Sequence, residues 1–109
     1  MLTESLIQEF ERESATTRRV LERVPQDRLS WKPHVKSMSL GTLALHIASG
    51  PGLISGWALN DKTEMANMEP TPEATSTAAV LAAHDEGVKK TKAALTTIGD
   101  AGMMRDWKL

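Results

Sequence analysis

The feature that most constrains the fold is a helical repeat of apolar side chains in three separate segments of the chain. The first segment has Leu6, Phe10, Thr17, Leu21 and Val24 at this spacing, with Ser14 filling the step between Phe10 and Thr17. The third segment has the same three- and four-residue steps at Val80, His84, Val88, Thr91, Leu95 and Ile98. Because residues three and four apart share one face of a helix, this spacing predicts amphipathic helices. The chain is therefore predicted to be an all-α domain.

Local signals place the ends of the predicted helices. The first runs from about Ser5 to Val24, and Ser5 and Gln8 have the spacing of a capping box. The second follows an N-cap at Ser39 and runs to about Leu59. The third begins at residue 75 or 76 and ends before Gly99. Residues 60–75 have little periodicity and two prolines, so we expect a long loop there.

The second helix has two further predicted features. Its apolar face is expected to consist of Leu40, Leu43, Ile47, Ile54 and Trp57. Pro51 lies inside the helix and predicts a kink or a break, because proline has no N–H to donate and clashes with the preceding turn. Glycines at positions 50, 52 and 56 leave room for a neighbouring helix to approach closely.

Composition narrows the classes of protein and of site. A chain of 109 residues fits a single domain over residues 1–109. The 13 basic and 14 acidic side chains give no field of one sign, so nucleic acid and anionic membranes are not expected partners. Cysteine is absent, which excludes thiolate nucleophiles and thiolate metal ligands. No apolar run reaches the roughly 18 residues of a membrane span, and a cytoplasmic protein is expected.

The histidines are the residues most open to a chemical role. His46 falls at the edge of the second helix's apolar arc, where it is either a histidine satisfied by packing or a metal ligand. His84 lies within the third helix's stripe and is expected to fill a core position, although it could face His46 across the bundle. His34 follows a proline and is expected at the surface. No catalytic triad, nucleophile elbow or phosphate-binding loop is present in the sequence.

Three stretches of the chain together resemble the DinB/YfiT-like family of metal-binding four-helix bundles. The most specific of them is LSWKPHVKSMSLGTLALHIA at positions 29–48. The others are RVLERVP at positions 19–25, and the third helix followed by DWKL at positions 106–109. The resemblance covers essentially the whole chain in the family's order.

The resemblance implies an up-down four-helix bundle, of which this chain carries the first three helices. Family members typically hold a divalent metal, zinc or nickel, with three histidines, and His46 matches the one on the second helix. The other two form a His-x-x-x-His pair on the last helix, which has no counterpart here and which His84 does not match. Characterised relatives include transferases that use bacillithiol, mycothiol or glutathione, so a small-molecule thiol is an implied partner.

Two functional hypotheses follow, and whether the chain is an enzyme stays open between them. The first is a metal-dependent DinB-like protein, a thiol transferase or hydrolase, with an incomplete metal site in this chain. The second is a non-catalytic helical interaction or assembly module. The apolar pair Trp107 and Leu109 follows the third helix, so we expect a missing helix or a partner to cover apolar surface. Homo-oligomerisation, as a dimer, is the predicted form of that association.

Overall fold

The computed structural model describes residues 1–60, 62 and 68–108, and these residues form three α-helices. Helix α1 is Leu2–Leu21, α2 is Leu40–Ala58 and α3 is Thr77–Gly102. A short 3-10 turn, Gln26–Arg28, lies between α1 and α2. The described residues form no β-strand. An isolated β-bridge joins Lys62 and Lys108. The all-α prediction is confirmed, while the identity of the fold as a DinB-like bundle stays a prediction.

Helix α1 begins and ends a few residues earlier than the sequence predicts. The capping box at Ser5 is wrong: Met1 is the N-cap and makes no side-chain capping bond. The first-turn N–H of Thr3 donates instead to the Asp100 carboxylate of α3 at 2.8 Å. Ser5 lies inside the helix, and its hydroxyl donates to the carbonyl of Met1 at 3.1 Å. The predicted apolar face is confirmed, since Leu21 is buried and the other members are half-buried, namely Leu6, Phe10, Thr17 and Val24.

Helix α2 begins where the sequence predicts. The Ser39 hydroxyl accepts a hydrogen bond from the backbone N–H of Thr42 at 3.1 Å, as an N-cap should. Ser39 also donates to the Glu73 carboxylate at 2.6 Å, and this bond lowers the pKa of Glu73. The helix is continuous through Pro51, so the predicted break is absent, while the predicted kink stays a prediction. The Ser39–Glu73 hydrogen bond ties the start of α2 to the segment that precedes α3.

The predicted apolar face of α2 is only partly covered in this fold: its end residues Leu40 and Trp57 are half-buried, but the residues between them are not. Leu43, Ile47 and Ile54 are exposed, at 45%, 45% and 59% of their accessible surface. The residues of α2 that are buried are instead small ones, namely Gly41, Thr42, Ala44, Ala48 and Gly52. The prediction was wrong because it ranked positions by side-chain hydrophobicity, whereas the neighbouring helix requires positions with little or no side chain.

The contact between α2 and α3 shows why small residues are needed. A Cβ atom added at Gly52 would lie 2.9 Å from the Cα atom of Gly87 on α3. A Cβ added at Gly87 would lie 3.0 Å from the carbonyl oxygen of Ala48. Both distances are shorter than ordinary van der Waals contact, so the two backbones touch directly. The expected close approach of a neighbouring helix is thus made at Gly52. A Cβ atom added at Gly50 or Gly56 would have no atom within 4 Å.

Helix α3 follows the prediction closely. Ser76 is its N-cap and accepts from the N–H of Ala79 at 2.9 Å. Gly99 has φ of 64°, a left-handed conformation that glycine adopts without strain, and it interrupts the regular helix where the sequence places its end. The predicted stripe faces the protein, with three members buried (Val80, His84 and Thr91) and three half-buried (Val88, Leu95 and Ile98).

Both α1 and α2 pack against α3, with the more extensive contact made by α2. The core cluster joins Leu21 of α1, Ala44 and Ala48 of α2, and Val80 of α3. The predicted loop is irregular at 68–75, but its residues 61 and 63–67 lie outside the described residues, as does Leu109. Among the helices described, none has an apolar stretch long enough to cross a membrane.

Candidate functional site

His46, the predicted metal ligand, lies on an exposed part of α2. Its ring Nδ1 lies 3.0 Å from the hydroxyl oxygen of Thr71, and the tautomer of the imidazole decides which of the two donates. Thr71 belongs to the segment that leads into α3. The contact therefore orients the imidazole and holds this segment against α2. The role of His46 as a ligand stays a prediction.

The surroundings of His46 decide whether the residues present fit a metal ion. Zinc sites in proteins use three or four protein ligands. In the part of the chain that the structure describes, no group of three or more His, Asp or Glu side chains is placed to hold a metal ion. The described residues do not fit a complete metal site, so the further ligands would have to come from outside them.

His84 occupies a core position, as expected, and has a different polar partner. Its Nδ1 lies 3.3 Å from Oδ1 of Asp85. The Arg18 guanidinium of α1 donates to both oxygens of that carboxylate, from Nε at 2.9 Å and Nη2 at 3.0 Å. These hydrogen bonds from Arg18, with a smaller contribution from His84, lower the pKa of Asp85 to about 2. The side chains of α1 and α3 are thus joined by a bidentate ion pair beside His84.

A groove runs between α1 and α2, with α3 as its floor. It encloses about 290 Å³ and is lined by Phe10, Glu13, Ser14, Thr17, Ile47, Ala48, Pro51, His84, Gly87 and Val88. His84 is only 6% exposed, so it forms the floor and not a wall. Large apolar side chains stand on both walls, with Phe10 on α1 and Ile47 on α2. We refer to this feature as the α1–α2 groove.

The side of α2 that borders this groove continues onto an open apolar surface. Leu43, Ile47, Gly50 and Ile54 follow one another at four-, three- and four-residue steps, so they share one side of the helix. We call these four residues the outer face of α2. Its three large side chains are each about half exposed. These three large side chains belong to the stripe that the sequence predicts to be buried, and in the single chain they face solvent.

A second and larger cavity of about 830 Å³ lies where residues 68–72 pass over α2 and α3. Its apolar wall includes Leu45, Leu53 and Trp57 of α2, and charged side chains of both signs line it as well, namely Glu69, Glu86 and Lys90. Its volume is in the range of small-molecule cavities. No pattern in the sequence indicates this cavity, because it depends on the path of an irregular segment.

Comparison with known proteins identifies no relative of this chain. No family model, no curated protein and no solved structure matches the chain.

Proposed function

We propose that this domain is a helical assembly module that pairs with a second copy of the chain through apolar surface on α2. The observation that carries the proposal is the exposure of Leu43, Ile47 and Ile54 on one side of that helix. A surface helix normally turns its large apolar side chains inward and its charged side chains outward. In α2 the inner positions are small and the outer positions are large, which favours a second contact on the outside.

The energetics support a partner on this surface. Removing apolar surface from water stabilises a complex by roughly 25 cal/mol per Å². Contiguous exposed apolar patches on single domains mark sites of interaction. The α1–α2 groove lies beside the patch and shares Ile47 with it. A partner helix at this position therefore covers the outer face of α2 and also reaches Phe10 across the groove.

The proposal is tested by sedimentation velocity over a range of low to high micromolar concentrations. We expect the wild-type chain to dimerise with increasing concentration. The Ile47→Glu variant should weaken the dimer by at least about tenfold, because association would bury an unpaired carboxylate. Val20→Glu is the matched control, since Val20 is 64% exposed and lies on α1 outside the groove.

Two results would contradict this assignment. A folded wild-type chain that stays monomeric over the whole range would exclude self-assembly at these concentrations. A dimer that Ile47→Glu and Val20→Glu weaken equally would show that α2 has no special part in it. Circular dichroism of all three proteins establishes that a loss of association is not a loss of helical structure.

A second candidate function follows from the position of His46. We propose, as the alternative, a DinB-like metal-dependent protein in which His46 supplies one ligand and segments outside the described residues supply the others. The support is the exposed imidazole, whose Nδ1 is held by Thr71, together with the family resemblance of positions 29–48. Thiol transfer or hydrolysis is the reaction class that this resemblance implies.

Metal analysis separates this alternative from the first proposal. The purified protein is loaded with zinc or nickel, desalted and analysed by mass spectrometry for bound metal. His46→Ala should lower the metal content, whereas His34→Ala, at an exposed loop histidine, should leave it unchanged. Equal metal content in the wild type and the His46→Ala variant would exclude His46 as a ligand.

A further inference from the structure

We infer that two copies of this chain pair through an antiparallel contact between their α2 helices, with a two-fold axis near Gly50. The inference rests on the proposed assembly function and names the surface and the symmetry that this function would use. Three observations lead to it: the absence of charged side chains on α2, the sizes of the side chains on its outer face, and the position of the open glycine on that face.

The first observation is that α2 carries no Asp, Glu, Lys or Arg over its whole length, Leu40–Ala58. One quarter of the chain's residues are charged, so a helix of 19 residues without any is unusual in this protein. A partner that brings a formal charge onto this face would bury it without a counter-charge. The occupant of the outer face must therefore itself be apolar and uncharged.

Among the described helices, α2 itself is the one that meets this requirement. Helix α1 exposes charged side chains such as Glu9 and Arg12, and α3 exposes Glu86 and Lys89. The outer face of α2 meets a second α2 without repulsion between like charges. Pairing of a surface with itself also gives a closed dimer, because each contact occurs twice about the two-fold axis.

The second and third observations fix the arrangement. The large side chains Ile47 and Ile54 lie on either side of Gly50, which is near the middle of α2. At Gly50 an added Cβ would meet nothing within 4 Å, so its backbone is open to a neighbour. An antiparallel crossing at this point places Ile47 near the partner's Ile54, and the bare glycines allow the two backbones to approach.

The extent of this contact also predicts its strength. A standard interface buries roughly 800 Å² and 20–30 residues per partner, whereas the outer face of α2 has three large side chains, each about half exposed. We therefore expect a dimer that dissociates on dilution. This expectation distinguishes the α2 pair from a permanent, extensive interface.

Cysteine cross-linking tests the arrangement directly, because the natural chain contains no cysteine. A disulfide forms when the two Cα atoms lie about 5.5–6 Å apart, so it reports on residues next to the axis. Gly50→Cys has room for its side chain within the single chain. Under mild oxidation it should give at least about tenfold more covalent dimer than Val20→Cys, since pairing raises the effective thiol concentration.

A second substitution identifies the surface that brings the thiols together. Ile54→Glu, made in the Gly50→Cys protein, should reduce cross-linking to the level of Val20→Cys. The control is Val20→Glu in the same Gly50→Cys protein, which should leave cross-linking unchanged. Both substituted side chains are exposed helix positions, at 59% and 64%, so neither change disturbs the core.

The outcomes separate this inference from the proposal on which it rests. If the chain dimerises in sedimentation but the Gly50→Cys variant cross-links no better than Val20→Cys, the α2 pairing is overturned and self-assembly stays intact. Cross-linking that Ile54→Glu leaves unchanged also overturns it. A chain that is monomeric in sedimentation and shows no preferential cross-linking overturns both, and assigns the outer face to a different occupant.

Discussion

The two sides of α2 differ in a way that reverses the usual pattern of a surface helix. The inner side carries Ala44, Ala48 and Gly52, and it is buried. The opposite, outer side carries Leu43, Ile47 and Ile54, and it is about half exposed. Close contact between helix backbones is achieved with residues that have almost no side chain. Side-chain hydrophobicity and burial are therefore separate properties in this helix.

The comparison shows that a helix can have two packing surfaces of different kinds. The inner surface fits one neighbour at a fixed short distance, because the Gly52–Gly87 contact leaves no free space. The outer surface is apolar and exposed, and no neighbouring backbone in the single chain fixes a packing distance for it. In the proposed assembly the first surface builds the single domain and the second joins two domains.

The largest expected effect breaks the inner surface. Gly52→Ala places a Cβ atom 2.9 Å from the Cα of Gly87, so α2 and α3 must move apart. Overpacking of this kind costs about 1–3 kcal/mol of unfolding free energy. Gly56→Ala, on the same helix but in open space, should instead stabilise the protein by about 0.5–1 kcal/mol. Urea unfolding of the two variants measures both effects.

The opposite signs of these two changes make the test specific. If Gly52→Ala were as stable as Gly56→Ala, the backbone contact between α2 and α3 would not be tight. Equal midpoints in urea, with equal slopes, would therefore contradict the description of the inner surface.

The next effect concerns the two serines that the sequence predicts to cap helices. Ser39 caps α2 and also bonds to Glu73, whereas Ser5 lies within α1 and bonds only to a carbonyl at the start of its own helix. Ser39→Ala should therefore cost about 1 kcal/mol, or somewhat more because the site is buried. Ser5→Ala should change stability by less than about 0.5 kcal/mol. Thermal and urea unfolding would show the difference, and equal losses would contradict it.

The same pairs of residues show how much the sequence determines. The stripe of α3 was predictable because its large residues, such as Val80, face the core, so hydrophobic spacing and burial agree. The inner face of α2 was not predictable, because Gly52 is buried through its contact with Gly87, which is 35 positions further along the chain. The spacing of apolar residues along the sequence gives no information on the distance between two helix backbones. It therefore assigned burial to the larger side chains on the other side.

The candidate site divides in the same way. His46 could be singled out from its neighbours in the sequence and from the resemblance of positions 29–48. Its contact with Thr71 could not, because that contact depends on how an irregular segment returns across α2. The α1–α2 groove also needs the three helices to be placed first. Local chemistry was thus predictable, while the surfaces that surround it required the fold.

The smallest expected effect compares the apolar contact of α2 with the polar contact of α1. Helix α1 is joined to α3 by the Arg18–Asp85 ion pair, and Asp85 has a pKa of about 2 instead of the ordinary 3.8. Because the folded pKa is the lower one, the pair stabilises the protein above about pH 4 and loses this effect as the pH falls towards 2. Both side chains are partly exposed, so the contribution should stay below about 1 kcal/mol.

Asp85→Asn sharpens this last comparison, because asparagine keeps the size of the side chain and removes its charge. The variant should be slightly less stable than the wild type at pH 7, and the difference should shrink as the pH falls to 2, where about half of the Asp85 carboxylates are protonated. The α2–α3 contact has no such pair across Gly52 and Gly87, so the Gly52→Ala deficit should not depend on pH in this way. Urea unfolding at pH 7, 4 and 2 measures both variants against the wild type. A constant Asp85→Asn deficit at all three values would show that the ion pair contributes through packing and not through charge.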